Sequence, residues 1–285
     1  SHTVWELLNK DEDVIILDNL QKGHEEAIHG GEFYEGDIRD DEFLDIVFQE
    51  NDIDSIIHFA ADSLVGESVS EPLKYYDNNV ISSLKLIEKM NEYGVRSIVF
   101  SSTAATYGQP DKIPIDESLP VVPTNPYGET KLAVEKALKW ADEAYGIKYV
   151  SLRYFNAAGA HPSGEIGEDH NPETHLIPII LQVALGKRDE IVIYGNDYDT
   201  DDGTCVRDYI HVTDLAQAHI LALNKLRDGG DSSIYNLGNG KGFSVKEVVE
   251  TARKVTGKQI KAVDGERRVG DPAVLIASSY RIKKQ

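Results

Sequence analysis

The chain has a single cysteine in 285 residues, so no internal disulfide can form, and this fits a reducing cytoplasm. Cys205 stands among Asp202, Gly203, Thr204 and Val206, with no histidine at ligand spacing. It reads as an ordinary small residue, and no metal is expected from it. Long apolar runs are also missing. None approaches the roughly 20 residues that span a bilayer, and the first residues do not show a leader pattern. Positive charge is scarce, with 29 Lys and Arg against 49 Asp and Glu and a formal net charge of -20. That balance argues against nucleic acid or an anionic membrane as a partner. A phosphate-bearing ligand then needs locally gathered arginines, for which Arg207 and Arg268 are candidates. No internal repeat or low-complexity segment is visible.

The rest is ordinary for a globular protein, with 41% hydrophobic and 27% charged residues. Short apolar runs at Asp13 to Asp18, Ser55 to Ala60, Ser97 to Ser101 and Tyr149 to Tyr154 read as buried parallel strands. Between them fall helical patterns at Asp41 to Gln49, from Pro72 to just before Gly94, and Tyr127 to Tyr145. This alternation predicts an α/β fold with a doubly wound, Rossmann-like parallel sheet. After Asn156 the texture changes. Ala157 to Thr174 reads as a loop rich in Gly, Pro, His and acid, followed by weaker signals at Leu176 to Leu185, Ile191 to Tyr194, Tyr209 to Val212, Leu215 to Leu226, Ile234 to Leu237 and Val245 to Val255. Residues 1–155 are expected to form a nucleotide-binding domain and residues 156–285 a smaller α/β substrate domain, with some late segments returning to the first sheet.

Ligands of such sheets bind beyond the carboxyl ends of the strands, where Asp18, Phe59 to Ser63, Ser101 to Thr103 and Tyr154 to Asn156 converge. Tyr127 and Lys131, four apart on one helix face, are the candidate chemistry. An ammonium beside a phenol is expected to lower its pKa from about 10 toward working pH. The phenol could then exchange a proton with a sugar hydroxyl, and nearby Ser or Thr hydroxyls could hold the same oxygen. Asp18, an acid closing the second strand of such a unit, suits ribose hydroxyls and repels a 2′-phosphate, which favours NAD over NADP.

Both ends read as cut. The opening His2-Thr3-Val4-Trp5 suits the helix that follows a glycine-rich turn, and Ser278 to Gln285 reads as the start of a helix. The expectation is that the first strand and its pyrophosphate cradle are missing, at a severe cost in stability and cofactor affinity.

Several stretches together resemble the extended short-chain dehydrogenase/reductase family, and within it the 4-epimerases of UDP-glucose, along essentially the whole chain. They include His58-Phe59-Ala60-Ala61, Tyr76-Asp77-Asn78-Asn79, Phe100-Ser101-Ser102-Thr103, Tyr154-Phe155-Asn156, Gly159 to Gly164 and Val206 to Val212. The resemblance implies NAD as cofactor, Tyr127 as the base at the sugar 4-hydroxyl, and Lys131 as its partner. Thr103 stands where many relatives have serine. The cofactor positions it implies are Asp18, Asn19, Asp37, Ile38, Phe59, Ala60, Ala61, Ser63, Asn78, Tyr154 and Phe155, besides Tyr127 and Lys131. Where relatives often carry a lysine near Ser63, this chain has none. For the substrate, UDP-glucose or UDP-galactose, the resemblance implies Asn156, Leu176, Arg207, Tyr209, Arg268 and Asp271, with Thr103 and Tyr127. Leu275 marks a gate that bears on N-acetylated sugars. The resemblance also implies a homodimer through Pro72 to Tyr93 and Tyr127 to Tyr145.

Rival readings weaken on the residues. A dehydratase places an Asp-Glu pair after the active-site threonine, and here Ala104-Ala105-Thr106 follows Thr103. A catalytically dead sensor would have lost Tyr127 or Lys131. His161, His175 and His211 read as structural rather than as acids, because the reaction needs none.

Overall fold

A computed structural model describes residues 1–268 and 271–285. In chain order the elements are α1 (His2–Leu8), β1 (Ile15–Asp18), β2 (Glu32–Glu35), α2 (Asp41–Glu50), β3 (Ile56–His58) and α3 (Val65–Ser70). Next comes α4 (Pro72–Tyr75), which runs through a π-helical turn at Tyr76–Ile81 into α5 (Ser82–Tyr93). Then follow β4 (Ser97–Thr103), α6 (Pro126–Tyr145), β5 (Lys148–Tyr154), β6 (Asn156–Ala158), α7 (Leu176–Ala184), β7 (Ile191–Tyr194) and β8 (Val206–His211). The last are α8 (Val212–Arg227), β9 (Ser233–Leu237), β10 (Gly242–Ser244), α9 (Val245–Thr256), β11 (Ala262–Gly265) and β12 (Val274–Leu275).

The central sheet has the order β3-β4-β5-β9, all parallel. Alternate residues of β4 point to opposite layers, as the period of a strand requires. Ile98 and Phe100 join Leu44, Phe48, Leu86, Met90, Val134 and Leu138, so α2, α5 and α6 cover one face. Val99 joins Val150, Leu152, Leu215, Leu223 and Leu226, so α8 covers the other. This is the doubly wound α/β arrangement that the alternation of strands and helices predicts. β9 comes from the late part of the chain yet pairs with β5, Val150 opposite Ser233. β1 and β2 form their own parallel pair.

The remaining strands build two small sheets. β8 lies between β10 and β12 and also pairs with β6, while β7 pairs with β11. α7 and α9 close a separate core of Ile180, Val183, Ile191, Val249 and Ile260.

The helix that carries the chemistry is sharply bounded. The side-chain oxygen of Asn125 accepts from the N–H of Gly128 at 2.9 Å, Pro126 occupies the first turn, and Gly146 ends the helix at φ 69°. Gly128 is required by close approach, since a Cβ there would lie 2.6 Å from the carbonyl oxygen of Ala105. That contact lets α6 settle on the 3₁₀ turn Ala104–Tyr107.

Three elements depart from expectation. Ala157 and Ala158, expected to begin a loop, form a strand with Asn156, because the ladder comes from β8 and not from an apolar pattern of their own. Glu32–Glu35 is flanked by charge, and pairing with β1 makes it a strand. Ser278 to Gln285 carries only a 3₁₀ turn at Ile282–Lys284 rather than the start of an α-helix.

Candidate active site

β4 ends in three buried hydroxyls, Ser101, Ser102 and Thr103. The hydroxyl of Thr103 accepts from the N–H of Ala105 at 3.1 Å, which turns the chain away from the sheet. α6 crosses this end and lays Tyr127 and Lys131, both buried, against it. The Thr103 side chain lies beside the phenol of Tyr127 and favours its ionised form. The ammonium of Lys131 donates to the carbonyl oxygen of Ser101 at 2.9 Å and lies 4.9 Å from the centre of the Phe100 ring.

The electrostatics reverse one expectation. Burial, then Tyr154, raises the Tyr127 phenol above its ordinary value; Thr103 opposes this and Tyr75 adds to it. Lys131 is not among these influences. Burial lowers its own pKa from 10.5 to about 7, against the attraction of Glu135. The ammonium is directed at a main-chain oxygen and is stripped of water, and burial outweighs what it can do to lower the phenol.

Under the site lies a charged network. Glu135, one turn beyond Lys131, accepts from Arg153 at 2.9 and 2.5 Å and from Ser102 at 2.5 Å. Arg153 also donates to the hydroxyl of Tyr107 at 3.0 Å, and Tyr107 donates to Asn236 at 2.8 Å. The sequence reading missed Glu135 and Arg153. Their signal is that two opposite charges fall on positions whose neighbours on helix and strand are buried.

At the end of β1, one oxygen of Asp18 accepts from the N–H of Leu20 at 2.8 Å, and the residue remains exposed. A Cβ on Gly23 would sit 3.4 Å from that carboxylate. Asn19 and Arg39 both donate to Asp37, Asn19 at 3.2 Å and Arg39 at 2.9 and 2.6 Å, which holds the Asp37 carboxyl well below the usual carboxylate range. Ile38 packs against the first core. A cavity of about 220 Å³ opens here, lined in part by Val4, Ile16, Asp18, Gly23 and His24. A second, of about 100 Å³, is bordered by Lys22, Ala61, Asp62 and Ser63.

Beyond β3, Phe59 stacks on the ring of His219 at 4.6 Å and stays partly exposed, with Ala60 and Ala61 following it. Asp62 is held by its backbone: its N–H donates to Asn79 at 2.7 Å and its carbonyl accepts from the same amide at 2.9 Å. One carboxylate oxygen of Asp62 is buried without a hydrogen bond, and Lys74 stands 3.8 Å away. Asn78 lies in the π-helical turn within the expected helix, and it is its neighbour Asn79 that is buried. The sequence marks only the stretches that hold Asp62 and Asn79, because a backbone-holding amide leaves no spacing signal. Tyr154 and Phe155 close β5, and burial raises the phenol of Tyr154.

The substrate candidates lie on the small sheets. Asn156 pairs with Tyr209 across β6 and β8. Arg207 on β8 donates to Asp271 at 2.8 Å, which unites two residues 64 positions apart. The phenol of Tyr209 is pushed up to about 12 by burial, against Arg207. Arg268 stacks over the Tyr194 ring at 4.1 Å. Leu176 opens α7 on the edge of the small core, and Leu275 packs against Ala104, Tyr107 and Phe155. His161, His175 and His211 lie in turns or at helix starts.

A doubly wound sheet with an acid closing β1, and with a Tyr and Lys one turn apart over a hydroxyl-rich strand end, defines a dehydrogenase-type enzyme of the short-chain class. The chain belongs to the NAD dependent epimerase/dehydratase family, which it matches over residues 1–238. It is 64% identical over 281 residues to the UDP-glucose 4-epimerase of Halalkalibacterium halodurans, a match covering 99% of this chain and 84% of that protein. A crystal structure of a UDP-glucose 4-epimerase shares the fold with a TM-score of 0.98 at 55% identity, over 100% of this chain and 87% of the other. The Brucella ovis UDP-glucose 4-epimerase in complex with NAD does so at 0.97 and 44% identity, over 99% and 87%. The similarity runs through essentially all of this chain and through 84–87% of those proteins.

Proposed function

We propose that the chain is an isomerase that interconverts UDP-glucose and UDP-galactose by NAD-dependent inversion at C4 of the sugar. The relatives at 64% and 55% identity are UDP-glucose 4-epimerases, and the family is NAD dependent. The observation that carries the residue assignment is the buried Tyr127 phenol, set beside Thr103 at the end of β4.

The residues present fit the cofactor. The exposed oxygen of Asp18 and the bare face of Gly23 leave room for a ribose diol, and a carboxylate there repels a 2′-phosphate. Ala61, Asp62 and Ser63 border the second cavity. Asn19, Asp37 and Ile38 border the adenine end, Phe59 to Ser63 with Asn78 the middle, and Tyr154 and Phe155 the far wall. When bound, NAD supplies the reversible two-electron oxidation at C4.

In this reading the chain's own side chains hold and move one proton. Tyr127 Oη accepts it from the 4-hydroxyl and returns it after the keto sugar has presented its other face. Thr103 Oγ1 shares the same sugar oxygen, which keeps donor and acceptor in line. Because burial opposes the phenolate, the base works only where a positive charge offsets that cost. Lys131 carries the charge when protonated, and Glu135 offsets part of its own desolvation. Arg207 and Arg268 neutralise the diphosphate with Asn156, while Asp271 and Tyr209 hold the uridine ribose and Leu176 borders the base. Leu275 limits the space beside the hexose. The chain is further read as working in the cytoplasm as a homodimer through α4, α5 and α6. Supports for this are the exposed Leu73, Leu84 and Trp140 on those helices and the lone, buried cysteine. Among the described residues no helix is long and apolar enough to cross a membrane.

Tyr127→Phe tests the assignment. The expected result is at least about a 100-fold loss of C4 inversion with nicotinamide absorbance still co-purifying. Near-normal turnover removes Tyr127 from the role of base.

A further inference from the structure

The segment between β6 and α7 carries four side chains that the proposed reaction does not use: Glu168, His170, Glu173 and His175. One ligand atom from each lies within 4.8 Å of all the others. The Nδ1 of His175 is 2.7 Å from an oxygen of Glu168 and 2.9 Å from one of Glu173. The Nδ1 of His170 is 3.3 Å from the same Glu168 oxygen and 4.0 Å from the second oxygen of Glu173. The two imidazole rings are 4.9 Å apart.

We propose that these four residues form a zinc-type metal site, with a divalent transition ion bound by two imidazole nitrogens and two carboxylates. A tetrahedral ion with bonds of about 2.0–2.2 Å places its ligand atoms about 3.4 Å apart. The observed separations bracket that value, so small side-chain movements, widening the short pairs and narrowing the long ones, close the shell. The donor set selects the metal, because paired imidazoles suit zinc, cobalt or nickel, whereas calcium and magnesium prefer all-oxygen shells. Charge agrees, since two carboxylates facing each other in a chain of net charge -20 are neutralised by one divalent cation.

One half of the site is already fixed. The side chain of Glu173 is 5% exposed, although most of its neighbours along the segment are exposed, and one of its oxygens accepts from the N–H groups of Thr174 and His175, both at 2.7 Å. His175 is the cap residue of α7. Glu168 and His170 come from the other side of the segment and also line the cavity that holds Asp18, and His170 reaches the second cavity beside Asp62 as well. A bound ion therefore staples the wall of the cofactor cavity to the start of a helix, a structural rather than a catalytic role.

The test uses the full chain, stripped with a chelator and titrated with cobalt chloride. One equivalent is expected to give the visible d–d bands of tetrahedral cobalt, which zinc displaces and magnesium does not. Zinc is expected to raise the melting temperature of the same sample. His170→Gln and His175→Gln, each checked for folding by circular dichroism, are expected to weaken zinc binding by more than about 100-fold, beyond the loss from an outer-sphere change. Absence of tetrahedral bands in the parent chain overturns the proposal. So does a spectrum or a zinc-induced stabilisation that survives in both variants. If either variant fails to fold, Glu168→Gln supplies the same comparison, with undiminished binding again overturning the site.

Discussion

Lys131 lies one turn after Tyr127 on the same face of α6, and its ammonium donates to the carbonyl oxygen of Ser101 at 2.9 Å. The two side chains are neighbours, yet burial governs both: the phenol is raised and the ammonium lowered, each toward its neutral form. The pair is thus strained toward neutrality, and whatever favours the charged lysine also favours the phenolate.

Replacing the ammonium separates stability from activity. With Lys131 lowered from 10.5 to about 7, the unfolded chain holds more protons than the folded one between those values. The stability penalty is full below pH 7 and is relieved as pH rises toward 10.5. Lys131→Met is expected to unfold at higher urea than the parent at pH 6, by on the order of 1–3 kcal/mol, and to lose this advantage by pH 10. Its C4 inversion is expected to fall sharply. Equal urea midpoints at pH 6 would contradict the argument.

Thr103 opposes the rise of the Tyr127 phenol. Thr103→Val keeps the shape and removes the hydroxyl, a bond to a developing charge worth about 1.5–3 kcal/mol. Turnover is expected to fall about 10- to 100-fold and the ascending limb of the pH–rate profile to move to higher pH, while Thr103→Ser retains both. An unshifted profile in the valine variant counts against the contact.

Glu135 and Arg153 are buried together, with Ser102 and Tyr107 completing their bonds. Glu135→Ala leaves a guanidinium uncompensated in the interior and is expected to destabilise by about 3–5 kcal/mol. Thermal or urea unfolding measures it. A cost below about 1 kcal/mol would show that Arg153 finds another partner.

Two histidines sit neutral under the sheet ends. Burial, then Lys131, draws His58 down to about 3, and burial draws His219 down to about 4 against its bond to the Leu215 carbonyl. The unfolded chain titrates them near 6.5, so stability is full above that pH and falls as pH drops toward 4. Each contributes a loss of about 2 kcal/mol between pH 7 and 5. Urea midpoints at the two pH values check this, with His219→Gln expected to flatten the slope.

Much of the nucleotide-binding half was legible because its strands are short apolar runs closed by polar residues. β4, for example, needs only Ser97 to Ser101 to declare itself, and Gly94 and Gly146 mark the ends of the helices on either side. The pair on α6 was readable for the same reason, since four positions along a helix set two side chains on one face. β6 was not readable, because three residues with no apolar alternation become a strand only when β8 offers a ladder. Nor was the pairing of Arg207 with Asp271, whose partners meet only through the folding of β8 beside β12.

Local spacing by itself determined the elements, the face that carries Tyr127 and Lys131, and the acid at the end of β1, because these depend on periods of two and 3.6 residues. Only the tertiary structure decided where the lysine's proton points, how far the phenol is withdrawn from water, and which histidines and carboxylates gather between β6 and α7. Those outcomes depend on burial and on contacts between distant segments, and no periodicity encodes the dielectric that surrounds a side chain.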